Sequence, residues 1–250
     1  MIINKGICSV SFRPLSVEEI IKITKENGLN CIEWGSDVHV PTGNFDAAKN
    51  VREITLNAGL KLLSYGSYFK CENSESFEAV SKTAEVLGTD IIRIWAGTKD
   101  ADKFSDEEFK DLIKIVQECA DIAKKRGQTI AFEFHFGTYN NCAQNSLKLL
   151  KAIGKDNVKT YWQPVYWIDY GSDEEEIEIN DKSIQELYAY IVGVHVYAWK
   201  RFDRFPLADY LVKWKEYNKA LPNTNGYLEF FLHDTVEQFV QDAKIFCNKI

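Results

Sequence analysis

Apolar residues along the chain follow two alternating spacings. A short apolar, β-branched or aromatic run gives way to a polar turn, and then to a longer stretch in which apolar positions recur every three or four residues. The runs are ICSVSF (7–12), NCIEWG (30–35), KLLSYG (61–66), DIIRIW (90–95), TIAFEF (129–134), VKTYWQ (158–163), IVGVHVYAW (191–199) and GYLEFF (226–231). Between them lie amphipathic segments such as 16–27, 45–59, 76–88, 105–127 and 235–246. In the fourth of these, Ile113, Val116, Ala120 and Ala123 form one apolar stripe. Ser16 with Glu19 and Ser105 with Glu108 are candidate capping boxes, and Gly28, Gly59, Gly88 and Gly127 stand where helices should stop.

Strands separated by helices cannot pair as hairpins, so the sheet is expected to be parallel and covered by helices. Eight strand–helix units in 250 residues average about 31 residues each, the size at which a (β/α)8 TIM barrel closes. No G-x-G-x-x-G follows the first run and no Walker lysine loop occurs, which disfavours an open doubly wound sheet. The expectation is one α/β domain, a single (β/α)8 barrel over residues 1–250.

Charge narrows the function. A net charge of −7 supplies no basic field for a nucleic-acid backbone or an anionic membrane. Six cysteines are scattered singly without a Cys-x-x-Cys pair, as expected of reduced, buried thiols. The first residues lack the apolar core of a signal peptide, and no later run is long and apolar enough to span a bilayer. A cytoplasmic protein is expected.

The informative residues are polar side chains set in apolar strand runs: Glu133 in IAFEFHF, Gln163 in TYWQP, His195 in VGVHVYAW and Glu229 in YLEFF. Each stands near the carboxyl end of its run, where barrel enzymes carry their chemistry. They come from consecutive strands five to eight and would sit side by side around half of the barrel mouth. Converging buried carboxylates raise each other's pKa unless a cation compensates. Three oxygen donors and one imidazole suit a hard or borderline divalent ion, Mn2+ first, with Mg2+, Co2+ or Zn2+ as alternatives.

The order Glu133, Gln163, His195, Glu229 resembles the metal set of the xylose isomerase-like barrels, which include sugar isomerases, ketose 3-epimerases, inosose dehydratases and apurinic endonucleases. IEWGSDVHVP (32–41), DIIRIWAGT (90–98), AFEFH (131–135) and GVHVYAW (193–199) resemble the sugar phosphate isomerase/epimerase branch. The resemblance implies a metal-dependent isomerase or epimerase acting on a small sugar or sugar phosphate. Glu133 and Glu229 would double as ligands and as the acid/base pair that moves a proton through an enediolate. It implies a substrate contact at Arg201, six positions after His195, and a homo-oligomer. Gln163 departs from the family's aspartate, and Tyr166 and Tyr139 from its histidine and second glutamate; either tyrosine can still hydrogen-bond a sugar hydroxyl.

Other rim residues are candidates. Glu33 either contacts substrate or pairs with Arg93 across the barrel; His39 follows the same strand. His135 should project to the same side as Glu133, and Trp95, with other tryptophans at strand ends, either walls a sugar or caps the core. The run 172–181 reads as a solvated loop and helix start. His233 is a weaker candidate. A non-catalytic sugar-binding barrel remains the principal alternative function. An apurinic endonuclease, which needs many more ligands and a basic face, and an inosose-type dehydratase stand behind it.

Overall fold

The computed structural model describes residues 1–250. Its strands are β1 (Ile2–Cys8), β2 (Cys31–Gly35), β3 (Lys61–Gly66), β4 (Ile91–Ile94), β5 (Thr129–Phe132), β6 (Val158–Trp162), β7 (Ile191–Val196), β8 (Trp199–Lys200), β9 (Asp203–Arg204) and β10 (Thr224–Leu228). Eight of them close a parallel barrel, with β10 beside both β1 and β7, while β8 and β9 form a separate antiparallel ribbon. The helices are α1 (Val17–Glu26), α2 (Phe45–Asn57), α3 (Phe77–Leu87), α4 (Asp106–Lys124), α5 (Ala143–Ile153), α6 (Asp173–Leu187), α7 (Leu211–Ala220) and α8 (Val236–Lys249). This is the (β/α)8 barrel that the alternation of spacings implies.

Local chemistry sets the helix ends. Ser16 and Ser105 each close a capping box with the glutamate three residues on, and all four glycines expected at helix ends take positive φ. The acidic run opens α6 behind the Ser172 cap. One of its members is not solvated: Glu176 is buried and accepts a hydrogen bond from Lys213 Nζ at 2.6 Å.

The first strand lies earlier than its apolar run. Asn4 and Lys5 read as polar, yet they lie within β1, where Asn4 bonds Asn225 and Lys5 Nζ caps the Phe246 carbonyl at the end of α8. Ser9–Phe12 is a 3-10 turn. Its serine hydroxyls accept hydrogen bonds from the backbone of Gly35 and Phe230, tying it to the ends of two strands. The seventh run also divides: β7 stops at Val196, and the chain returns as the β8–β9 hairpin through Arg201 and Phe202, both at positive φ.

Two glycines make room inside the barrel. A Cβ on Gly66 would lie 2.6 Å from Arg93 Nη2, and one on Gly193 would strike the Tyr161 ring. Tyr161 crosses the barrel, donates to Glu33 Oε2 at 2.7 Å and stacks on Tyr227. Gly193→Ala is therefore expected to cost about 1–3 kcal/mol through overpacking. Urea unfolding checks this, and an unchanged midpoint would show that the ring yields freely.

Candidate active site

At the carboxyl end of the barrel, each of the eight strands, or the residue just after it, turns one polar or thiol side chain inward. Taken around the barrel these are Cys8, Glu33, Ser64, Arg93, Glu133, Gln163, His195 and Glu229, all buried. Glu133, Gln163 and Glu229 each follow the last residue of their strand, and the Glu133 and Glu229 backbones still donate to the neighbouring strand. This fixes where their side chains start.

His195 Nδ1 is the point of convergence on one side. It lies 3.0 Å from Gln163 Oε1, 3.1 Å from Glu229 Oε2 and 3.9 Å from Glu133 Oε1. The four polar residues found in the strand runs thus meet around one nitrogen. The other nitrogen, Nε2, is buried without a hydrogen-bond partner, 3.5 Å from Glu33 Oε1.

Arg93 organises the opposite side. Its guanidinium, 2% exposed, pairs with Glu33 at 2.8 Å and bonds Glu133 Oε2. The pairing of Glu33 with Arg93, one of two readings of the sequence, is therefore present. Glu33 also accepts from Ser64 and Tyr161, which leaves it embedded beneath the mouth. Trp95 Nε1 donates to the same Glu133 oxygen at 2.5 Å, so Trp95 positions a carboxylate.

Electrostatics follow from these contacts. Burial opposes ionisation of Glu33, but the Arg93 charge, the nearby His195 ring and the Ser64 hydrogen bond outweigh it and hold the carboxyl well below its usual range. Glu229 is likewise held low, burial being overcome mainly by His195. At His195, burial disfavours the charged ring, yet Glu229 outweighs it and raises the pKa. Three buried carboxylates face one guanidinium, an excess of two negative charges when the imidazole is neutral. A divalent cation offsets that excess, and Cys8, His195 and Glu229 present ligand atoms within 4.8 Å of one another.

The remaining expected site residues fall into two groups. His135 stands half-buried at the rim, stacked on Trp95 with ring centroids 4.9 Å apart, and its Nδ1 lies 2.5 Å from the Phe136 carbonyl. With Nδ1 donating there, Nε2 is the basic nitrogen. Tyr166 is buried in an aromatic cluster with Trp167, Tyr197, Trp199 and Phe202. Burial, followed by the charges of Glu229 and Glu133, raises its phenol pKa. The other group lies away from the cluster. Both nitrogens of His39 are engaged, by Ser9 and the Leu15 carbonyl, each at 3.1 Å, which leaves none for a substrate. Arg201 sits 59% exposed on the hairpin tip, paired with Asp169. Tyr139 packs between Phe104 and Phe109, and no ion pair draws His233 inward.

Sequence patterns missed one residue beside Arg93. Tyr68, at positive φ just past β3, lies over Arg93 and accepts from Arg13. Arg204 on β9 stacks over Trp199 and Phe230 and pairs with Asp234. A cleft of about 390 Å3 opens between the Ser9–Phe12 turn and Phe230–Val236, with Arg13 and Asp234 in its wall.

Residues 21–244 match the family model described as the xylose isomerase-like TIM barrel. The chain belongs to this family. Among relatives of this xylose isomerase-like barrel is a 3-dehydroshikimate dehydratase from Bacillus anthracis, 23% identical, with 97% of this chain and 89% of that protein covered. The structure of a probable 3-DHS dehydratase from the same organism superposes with a TM-score of 0.81 at 18% identity, covering 99% and 100% of the two chains. A D-psicose 3-epimerase from Clostridium cellulolyticum superposes at 0.72 with 14% identity, covering 98% and 96%. The family thus holds sugar-modifying enzymes of more than one reaction type, and no helix of this chain is long and apolar enough to cross a membrane.

Proposed function

We propose that this xylose isomerase-like barrel is a metal-dependent enzyme that removes a proton beside the carbonyl of a small polyhydroxylated substrate and expels a hydroxyl as water. The observation that carries the choice of dehydration is the unequal setting of the two glutamates. Both Arg93 and Trp95 donate to Glu133 Oε2, which ties that carboxylate in place as an anion. Glu229 has His195 beside it and accepts no other side-chain hydrogen bond. Epimerisation by two bases needs a free carboxylate on each face of the carbon chain, and only Glu229 is placed to serve. An isomerase or epimerase, the activity implied by the sequence resemblance, is the second reading.

Glu133, Gln163, His195 and Glu229 would hold the cation, since their donors gather around His195 Nδ1 and their charge calls for a compensating one. A divalent ion bound there supplies Lewis-acid polarisation of a carbonyl and its neighbouring hydroxyl. Glu229, ionised because His195 holds its pKa down, takes the proton. His135, with Nδ1 donating to the Phe136 carbonyl, would take a proton from solvent on Nε2 and pass it to the departing hydroxyl, which leaves as water. Trp95, Tyr166 and Tyr68 wall the substrate and exclude water.

The test is turnover in D2O by the metal-loaded protein, given ketoses, their phosphates and cyclic hydroxyketones, 3-dehydroshikimate among them. Dehydration is expected to give an unsaturated product with a new ultraviolet band. Deuterium in an epimer or isomer without loss of water would establish the second reading instead, and no reaction with any carbonyl compound would point to a non-catalytic barrel.

Metal affinity should depend on pH. The carboxylates raise the His195 pKa, so at low pH a proton holds the nitrogen that a cation requires. Binding releases that proton, and affinity should rise by about tenfold per pH unit until the apo imidazole is deprotonated. Calorimetry in buffers of different ionisation enthalpy counts the proton; a flat profile would remove His195 from the ligand set.

A further inference from the structure

Cys8, Glu33 and Ser64 are the members of the inward ring to which the proposed chemistry gives no role, and Cys8 is the only thiol among them. It ends β1, is 1% exposed, and has Glu229 on one neighbouring strand and Glu33 on the other. Its Sγ lies 3.6 Å from Glu33 Oε1, which is itself 3.5 Å from the unpartnered His195 Nε2. Sγ, a His195 ring nitrogen and a Glu229 oxygen all fall within 4.8 Å of one another. The other five cysteines are not part of such a group.

We propose that Cys8 is a ligand of the cation bound at this site, and that its sulfur makes the site select a borderline, thiophilic ion such as Zn2+ or Co2+ over Mn2+ and Mg2+. The inference rests on the metal-dependent reading above. Sγ, one ring nitrogen of His195 and one Glu229 oxygen lie close enough together to meet a single ion, so a cation that takes the imidazole and Glu229 as ligands has the thiol within reach. Thiolate and imidazole donors favour softer ions than carboxylates and amides do. On binding, the S–H bond is replaced by a sulfur–cation bond and one proton passes to solvent, with no change in oxidation state. The ion expected from the strand-five to strand-eight residues alone, with three oxygens and one nitrogen, shifts accordingly from hard to borderline.

The experiment loads the full-length, chelator-stripped protein with Co2+ and reads calorimetric binding together with the absorption spectrum, in wild type, Cys8→Ser and His195→Ala. A thiolate-to-cobalt charge-transfer band in the near ultraviolet is expected in wild type. It should be absent from Cys8→Ser, while the visible ligand-field bands persist. Outer-sphere changes already cost 10–100-fold in affinity, so Cys8→Ser should lose at least about tenfold for Co2+ and Zn2+, with Mn2+ affinity little changed. Co2+ bound tightly without the charge-transfer band, or with a band that survives Cys8→Ser, would overturn the role of Cys8 and leave the metal-dependent reading standing. Absence of Co2+, Zn2+ and Mn2+ binding by wild type would overturn both.

Discussion

Arg93→Met is expected to destabilise the protein by about 3–5 kcal/mol, the range for removing one partner from a buried ion pair. The guanidinium answers two buried carboxylates at once. Without it Glu33 and Glu133 face each other's charge in an environment that water hardly reaches, and methionine supplies volume but no donor. For a chain of this size the loss corresponds to a fall in melting temperature of about 10 °C. Thermal unfolding of the metal-free protein measures it. Arg93→Lys should fall between the two, because an ammonium keeps the charge but lacks the fork that reaches both carboxylates. A second change, Glu33→Gln, made in the methionine variant should recover part of the loss by removing one of the stranded charges. A melting temperature unaltered by Arg93→Met would mean that the two carboxylates find other partners, and the account of Glu133 as a clamped anion would fail with it.

Glu229→Gln is expected to lower turnover by 10²–10⁴-fold, the usual contribution of a positioned general base. The amide keeps an oxygen that can ligate a cation but cannot accept the proton. Stability should change little, because no side chain other than His195 is bonded to this carboxylate. Glu133→Gln should behave differently: it replaces an acceptor of two hydrogen bonds by an amide, part of which confronts donors, and so costs stability as well as rate. The comparison separates a base from a clamped ligand. Release of the α-proton to solvent, followed by mass spectrometry in D2O, reads the step directly. Turnover by Glu229→Gln at the wild-type rate would sink the assignment of the base.

The barrel was legible because its two spacings are enforced by burial on both faces of a parallel sheet, and residues such as Ile92, Ile94, Ile130 and Phe132 carry no polar atoms to blur them. Glu133, Gln163, His195 and Glu229 stood out for the converse reason, since a polar group among such neighbours requires a partner. The pairing of Glu33 with Arg93 could be anticipated but not decided, as periodicity does not reach across a barrel. Cys8 and Tyr161 carried no signal at all: a thiol and a phenol in apolar surroundings resemble ordinary core. The start of β1 was hidden by Asn4 and Lys5, whose polar groups are satisfied at the far end of the barrel. His39 was placed by sequence proximity to a strand end and Arg201 by the family resemblance, but loop backbone decided their contacts. The left-handed turn at Arg201 and Phe202 directs one arginine outward to Asp169, while Arg204, three residues on, folds back over Trp199 and Phe230.

Tyr161 lies beneath the site and, stacked on Tyr227, stoppers the barrel from below. With the floor closed, water and any ligand of the site would have to come and go through the mouth at the carboxyl end of the strands. A product must leave before a chelator can reach what lies under it. Turnover in such a blind vessel is set by the order in which its contents depart, and substrate held at the mouth should shield the bound ion from stripping in proportion to its occupancy.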